Sequence, residues 1–355
     1  MKKILILAND VTTILQFRSE LVKALVEDGN EVLVSIPKSE RASEIEALGA
    51  SVVETEVSRH GTNPIKELAL LRAYKRLLKE QGPDIVLTFT IKPNVYGGMA
   101  CGSLKIPYVA NVTGLGVVGD AGLMQKIMLA LYKRGCKKAR CVFFQNKSNM
   151  EFFQKTGVVK GKTQLLPGSG VNVERFSYLE YPEDPKANIV FVGRIIKDKG
   201  VFELAEVAKK YSDNPNVKFT IVGTVEYGSE NPFDGMSNVE CVGFHKDVRP
   251  YIKDAHAIIL PSYHEGMANV LLEGAASGRV ILASKIPGCE ETFDEGVTGF
   301  GFEPKNEDSL KQAIDKFLEL TNEQKCEMGK AGRKKVEEQF NRKIVIEKYF
   351  EQINN

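Results

Sequence analysis

The chain has 355 residues, 43% of them hydrophobic and 26% charged, and its 48 Lys and Arg nearly balance 46 Asp and Glu for a formal net charge of +2. Such usage excludes a disordered or collagen-like polypeptide and suits two domains of ordinary size. Six cysteines (Cys101, Cys136, Cys141, Cys241, Cys289, Cys326) are scattered without a CxxC, and neither HExxH nor Asp-x-Asp occurs, so reduced thiols are expected, with no disulfide framework and no metal.

The opening MKKILILAND carries an apolar run only from Ile4 to Ala8, then meets Asn9-Asp10 with no small-residue cleavage site. It reads as a first strand and not a signal peptide, and a cytoplasmic protein is expected. Short apolar runs then alternate with helical periodicity: a helix over Ile14 to Glu27, the Gly29-Asn30 turn, EVLVSI, a helix ending near Gly49, SVVE, and a helix over Pro64 to Glu80. DIVLTF, a helix after Pro93, PYVANV, a helix from Ala121, CVFFQ and TQLLP follow. Strands joined by crossovers of this length predict a parallel sheet with helices on both faces. The stretch PGSGVNVERFSYLEYPEDP is rich in Pro, Gly and acid and has little periodicity, which predicts a linker. The pattern restarts at ANIVFVG, with strands near Val217 to Val222, Val239 to Val242, His256 to Leu260 and Val280 to Ala283, so a second sheet of the same kind is expected. Helices over Asp308 to Leu320, Glu323 to Glu338 and Arg342 to Asn355 close the chain.

Charge is divided unevenly. Residues 1–170 hold 24 Lys and Arg against 15 Asp and Glu, a net of +9, and the remainder holds 24 against 31, a net of −7. Much of the excess lies in AGLMQKIMLALYKRGCKKAR, where Leu123, Met124, Ile127, Met128 and Leu131 form an apolar stripe beside Lys126, Lys133, Arg134, Lys137, Lys138 and Arg140. Such a stripe is ordinarily core. The rival reading is a face lying on an anionic bilayer, since the run is too short and too charged to span one. Nucleic acid is not expected, because no aromatic platform or binding motif accompanies the charge.

The chemistry concentrates in the second half. In IVFVGRIIKDKG a strand ends at Gly193, and Arg194 and Lys199 bracket a turn that closes at Gly200. Cations at a helix start oppose its dipole, so the placement asks for an anion. In PSYHEGMANVLLE a strand ends, a loop turns and a helix begins, with seven residues between Glu265 and Glu273. Backbone amides at Met267, Ala268 and Asn269 are expected to lack intrahelical partners and to suit a diphosphate. Carboxylates suit the hydroxyls beside it, and a nucleotide-sugar presents both groups. The first half offers fewer signals. Leu7 to Thr12 has no glycine, which argues against a dinucleotide-binding G-x-G-x-x-G. Thr90-Ile91-Lys92-Pro93-Asn94 and Asn111-Val112-Thr113-Gly114-Leu115-Gly116 end strands. Lys92 reads as a contact for an acceptor diphosphate or as a solvated lysine. Arg59, beside His60, is the better ligand contact on its loop.

These segments, with GFHKDV, PGCEETFDEGVTGFGFEP, LLPGSGVNVERF, TFTIKPNVYGG and NVTGLG, resemble the retaining nucleotide-sugar glycosyltransferases of family 4, over nearly the whole chain. The resemblance implies a GT-B fold: two Rossmann-like α/β domains with a deep interdomain cleft. It further implies an acceptor-binding domain over 1–170, a linker over 171–187, a nucleotide-sugar domain over 188–340, and a final helix over 341–355 returning to the first domain. By that resemblance Arg194, Lys199 and Glu265 act on the donor diphosphate and sugar, and Glu273 accepts from ribose hydroxyls. Gly193, Gly223, Phe244, His245, Gly266, Met267, Ala268 and Asn269 complete the donor site, with main-chain groups around Phe244 and His245 at the nucleobase. Asn9, Asp10, Arg59, Lys92, Asn94, Thr113 and Gly114 are expected on the acceptor side. Many relatives place a histidine after the strand equivalent to DIVLTF, and here no residue clearly inherits its role. The implied activity is metal-independent transfer from a UDP-sugar to a lipid-diphosphate-linked glycan at the inner face of a bacterial membrane, in capsule or O-antigen synthesis. A nucleotide-sugar epimerase of the same architecture and a silent binding protein are the alternatives.

Overall fold

The computed structural model describes residues 1–57, 63–114, 122–226 and 230–355. They form two compact units, Met1–Ser169 with Lys343–Asn355, and Gly170–Arg342.

Unit 1 is built on a seven-stranded parallel sheet: β1 (Lys3–Leu7), β2 (Glu31–Ile36), β3 (Ser51–Glu54), β4 (Ile85–Phe89), β5 (Tyr108–Val112), β6 (Cys141–Phe144) and β7 (Thr163–Leu165). Its order is β3-β2-β1-β4-β5-β6-β7, so the direction of winding reverses between β1 and β4. Both faces are covered, which is why the strands are apolar at successive positions. Ile4 and Ile6 enter a core with the helices α1 (Val11–Leu15), α2 (Ser19–Glu27) and α3 (Ala42–Glu46). Leu5 and Leu7 enter the opposite core, with α4 (Pro64–Gln81), α5 (Gly98–Leu104), α6 (Leu123–Cys136) and α7 (Lys147–Lys155). Local signals bound α4: Asn63 accepts from the Ile65 and Lys66 amides, Pro64 takes the first position, and Gly82 stops it at φ 55°. Where one helix was expected over Ile14 to Glu27 there are two. The chain breaks at Arg18, whose side chain is buried with its guanidinium 4.9 Å from the Phe89 ring centre.

Unit 2 holds a six-stranded parallel sheet: β8 (Ala187–Val192), β9 (Val217–Val222), β10 (Val239–Gly243), β11 (Ala257–Leu260), β12 (Val280–Ser284) and β13 (Gly299–Phe302). The order β10-β9-β8-β11-β12-β13 reverses between β8 and β11. Around it lie α8 (Val201–Lys209), α9 (Arg249–Lys253), α10 (Asn269–Ala276), α11 (Glu307–Glu319) and α12 (Asn322–Gln339). The stretch 171–187 is not a free linker. Phe176 and Tyr181 are buried in the unit 2 core, the Tyr181 hydroxyl donates to the His256 carbonyl at 2.6 Å, and Arg279 donates to the Leu179 and Glu180 carbonyls.

The last helix, α13 (Arg342–Asn354), returns to unit 1. Val345, Tyr349 and Ile353 complete the core of Ile4 and Ile6, Tyr349 sets its ring edge-on to Phe143 at 5.1 Å, and its hydroxyl donates to Asn111 Oδ1.

Candidate functional site

In open α/β sheets ligands bind beyond the carboxyl ends of the strands, where the winding reverses. In unit 2 that point lies between β8 and β11, and the chain there carries Gly193-Arg194 after β8 and Pro261 to Glu265 after β11. A three-residue turn, Lys197–Lys199, ends at Gly200 with φ 67°. A Cβ on Gly200 would stand 2.0 Å from the Pro261 carbonyl oxygen, so only glycine lets this turn press against the segment after β11. The Tyr263 amide donates to the Asp198 carbonyl at 2.9 Å, joining the two segments a second time. The Lys199 ammonium consequently meets Glu265 Oε1, which also accepts from the Ser262 hydroxyl at 2.7 Å. Both side chains are mostly buried, whereas Arg194 is exposed and lies 3.7 Å from the exposed Glu226. Lys199 is therefore held by a carboxylate, whereas the sequence reading set Lys199 and Glu265 separately against a donor diphosphate and its sugar.

The amide prediction is corrected at one position. The Ala268 N–H donates to the Gly288 carbonyl at 2.8 Å, because the loop after β12 turns through Gly288 at φ 89° and lies against Glu265 and Gly266. Met267 and Asn269, by contrast, donate their amides to no partner among the described residues, and α10 starts at Asn269 with no side-chain cap. One turn along α10, Glu273 shares a face with Asn269. It is partly exposed, yet burial pushes its carboxyl up to about 7, with Arg342 and Arg175 pulling it back down. A Cβ on Gly223 would stand 1.8 Å from the Gly193 oxygen, so glycine at 223 lets the ends of β8 and β9 meet, whereas a Cβ on Gly193 would face only the Phe191 ring at 3.2 Å. Phe244 is exposed beyond β10, and His245 beside it bonds the Tyr251 hydroxyl at 2.7 Å.

In unit 1 the predicted acceptor residues divide. Asn9, Thr113 and Gly114 lie half-buried after β1 and β5. Asp10 instead caps α1, accepting from the Thr13 amide at 2.9 Å and the Thr13 hydroxyl at 3.3 Å. Asn94 is fully buried: it accepts from the Thr88 hydroxyl at 2.6 Å and donates to the Asn111 carbonyl at 2.6 Å, which removes it from any ligand contact. Lys92 is neither solvated nor free, since Glu67 binds it at 2.5 Å with both side chains largely buried. Arg59 and His60, like Leu115 and Gly116, fall outside the described residues. The stripe on α6 is not core at its start: Leu123, Met124 and Ile127 are 76%, 60% and 46% exposed, and only Met128 and Leu131 pack inward. Among the described residues no group of three or more His, Cys, Asp and Glu side chains could hold a metal ion, and no helix is long and apolar enough to cross a membrane.

Residues 175–335 match the family described as Glycosyl transferases group 1, and residues 3–146 match Glycosyl transferase 4-like. The chain is 30% identical over 331 residues to N,N'-diacetylbacillosaminyl-diphospho-undecaprenol alpha-1,3-N-acetylgalactosaminyltransferase of Campylobacter jejuni, covering 86% of this chain and 87% of that one. It belongs to the group 1 glycosyltransferases. A further relative, the UDP-Gal:alpha-D-GlcNAc-diphosphoundecaprenol alpha-1,3-galactosyltransferase of Escherichia coli, is 26% identical over 78% of this glycosyltransferase and 76% of its own length. The GT-B fold is shared with Anabaena Alr3699/HepE, solved in complex with UDP and glucose, at TM-score 0.81 over the whole of both chains and 16% identity. These relatives are transferases, and the epimerase reading finds no support among them. Two cations that act on Glu273, Arg175 and Arg342, escaped the sequence reading. Arg175 stood in the VNVERF segment at the junction, a visible signal that the linker assignment obscured.

Proposed function

We propose that this glycosyltransferase moves a hexosyl or N-acetylhexosaminyl group from a UDP-sugar to a glycan on undecaprenyl diphosphate, with retention, without a metal, and at the cytoplasmic face of the plasma membrane. The observation that carries this reading is the meeting of Lys199 and Glu265 at the unit 2 switch point, next to the unpartnered Met267 and Asn269 amides. As the bond from the sugar C1 to the diphosphate oxygen lengthens, Lys199, Arg194 and those amides receive the growing negative charge. Lys199 exchanges one oxyanion, Glu265, for another, and Glu265 is released to the sugar hydroxyls. The acceptor hydroxyl bonds to C1 on the face the diphosphate leaves, and its proton passes to the departing diphosphate. Glu273 accepts from the ribose hydroxyls. The names of the two transferases support the lipid-diphosphate acceptor and the UDP-linked donor.

UDP release is measured over a panel of UDP-sugars with polyprenyl-diphosphate-linked hexosamine acceptors, in EDTA. Arg194→Ala and Lys199→Ala are each expected to lower kcat ~100- to 1,000-fold with the fold retained. Near-normal turnover in both variants removes the site, and strict dependence on added metal overturns the metal-free reaction.

A further inference from the structure

Between α4, α5 and α6 unit 1 holds a cleft of about 310 Å³. Tyr108, the first residue of β5, and Lys137 and Lys138, just before β6, line it. The cleft therefore runs to the amino edge of the sheet, opposite the carboxyl-edge loops where the acceptor is proposed to bind. Its shape follows from two glycines one turn apart on α5. A Cβ on Gly98 would stand 2.2 Å from the Gly135 carbonyl oxygen, so glycine lets α5 and α6 close up. Gly102 leaves the next turn of α5 bare, where a Cβ would meet only the Lys138 side chain, at 3.4 Å. Tyr108 is buried behind them. Its hydroxyl donates to the Gly135 carbonyl at 2.6 Å and accepts from the Lys138 amide at 3.3 Å, which fixes the end of α6.

Four cations line this cleft and no carboxylate does: Lys75, Arg134, Lys137 and Lys138. Lys138 is partly engaged, its ammonium donating to the Gly102 carbonyl at 2.8 Å. Arg134 and Lys137 stand at the end of α6, where the helix dipole by itself accounts for a cation. The dipole does not account for Lys75. It sits in the middle of α4, half-buried, with Arg72 and Lys79 as its charged neighbours one turn to either side. Like charges at that spacing destabilise a helix. The acid of the last turn, Glu80, lies 3.7 Å from Arg76 instead. Among the described residues no carboxylate pairs with Lys75, Arg134 or Lys137. A half-buried ammonium that faces three other cations asks for an anion from outside the chain.

We infer that the cleft between α4, α5 and α6 binds a phosphoryl anion, carried by a small phosphate or diphosphate ester, at a site separate from the transfer reaction. The donor set selects this class. A guanidinium fork and ammonium groups from two helices suit an anion with several charged oxygens, whereas a single carboxylate would match one of them and leave the rest unpaired. Leu71 and Met99 line the same cleft and give an apolar side for the organic part of the ester. The volume lies at the small end of ligand pockets, which fits such an ester better than a whole nucleotide-sugar. The phosphoryl group belongs either to a water-soluble ester or to the headgroup of an anionic lipid.

The test uses the full-length protein with UDP at saturation, so that the proposed donor site is filled. Inorganic pyrophosphate is titrated by calorimetry, and vesicles of phosphatidylglycerol or phosphatidylcholine are used in sedimentation, both at about 0.15 M salt. Ser103→Glu places a carboxylate on the lining of the cleft and keeps all four cations; Lys75→Gln removes the cation that the helix dipole does not explain. Lys133→Gln is the control: it changes the net charge by as much as Ser103→Glu does, but at an exposed position on α6 outside the lining. Pyrophosphate affinity should fall ~10- to 100-fold in Ser103→Glu and in Lys75→Gln, the worth of a charge-assisted hydrogen bond. In Lys133→Gln it should stay within about twofold, because salt screens a charge outside the cleft. Tm reports that each variant is folded, and Lys75→Gln answers the question alone if Ser103→Glu is not. Pyrophosphate loss with equal vesicle sedimentation in Ser103→Glu and Lys133→Gln assigns the cleft to a soluble ester. Weaker sedimentation of Ser103→Glu than of Lys133→Gln on phosphatidylglycerol, with release of the wild type by pyrophosphate, assigns it to a lipid headgroup. The proposal is overturned if neither cleft variant changes the binding of either probe, or if Lys133→Gln loses as much as they do, which is the behaviour of a diffuse basic surface.

Discussion

Glu273 shows how one side chain can carry a property its sequence position does not reveal. Its place on the helix behind Glu265 was legible from spacing; its environment was not, because Arg175 and Arg342 come from distant segments. Burial raises the carboxyl from an ordinary value near 4.5 to about 7. The folded protein thus keeps this proton at pH values where the unfolded chain has lost it. The stability that the protonated carboxyl allows is complete below the unfolded value and is lost as pH rises from about 4.5 through about 7. At about 1.4 kcal/mol per unit the loss is at most ~3 kcal/mol. Glu273→Gln cannot ionise, so in urea unfolding it should gain ~1–3 kcal/mol on the wild type between pH 4 and pH 8. A pH-independent difference would show that the carboxyl is not perturbed. The ribose role proposed for Glu273 favours its charged form, so on that proposal wild-type UDP affinity should rise with pH through 7 and that of Glu273→Gln should stay flat.

Among elements, strands were the most legible and the segments between them the least. Runs such as EVLVSI and ANIVFVG are apolar because both faces of a parallel sheet are covered, and composition records that directly. β13 escaped because GFGF has two glycines in four residues. The glycine at 299 is needed there, since a Cβ would lie 2.2 Å from the Ile281 oxygen of the neighbouring strand. The segment 171–187 misled for the opposite reason: its Pro, Gly and acid content suits a linker, but it is tied down by a residue far away in sequence. Arg279, just before β12, is fully buried and donates to the Ile252 and Lys253 carbonyls at 2.9 Å and to the Leu179 and Glu180 carbonyls at 3.1 Å. Removing it leaves those carbonyls without their donor and opens a cavity. Arg279→Ala should therefore cost ~3–5 kcal/mol in urea unfolding. Protease nicking should appear within 171–187 before the rest of unit 2 is cut. A loss below 1 kcal/mol with unchanged nicking would show that the segment is held by Phe176 and Tyr181 alone.

At the scale of the whole molecule the charge split gains meaning from what α6 exposes. Residues 1–170 carry a net +9 and the remainder −7, so an anionic surface attracts the first part and repels the second. On α6 and just after it Lys133, Arg134, Lys137 and Lys138 are exposed, and Leu123, Met124 and Ile127 stand in water at the start of the helix. Ile65 and Leu68, in the first turns of α4, are 80% and 47% exposed. Both helices begin after a strand, at the carboxyl edge of the unit 1 sheet where the acceptor is proposed to bind. A solvated basic face alone would not explain apolar side chains left uncovered, whereas an interfacial helix uses both. Each cation close to an anionic bilayer contributes ~1 kcal/mol, so four of them amount to a partition coefficient near a thousandfold at low salt. Vesicles of phosphatidylglycerol and phosphatidylcholine should therefore sediment the protein at 0.1 M salt far better than at about 0.5 M, where screening shortens the reach of each charge to a few ångströms. Changing the four cations to Gln should abolish the salt dependence, and Leu123→Glu with Ile127→Glu should weaken the residual binding at high salt. Turnover on a water-soluble acceptor should survive both sets of changes. Equal sedimentation with pure phosphatidylcholine, or no effect of either set, would leave the exposed start of α6 without a membrane role.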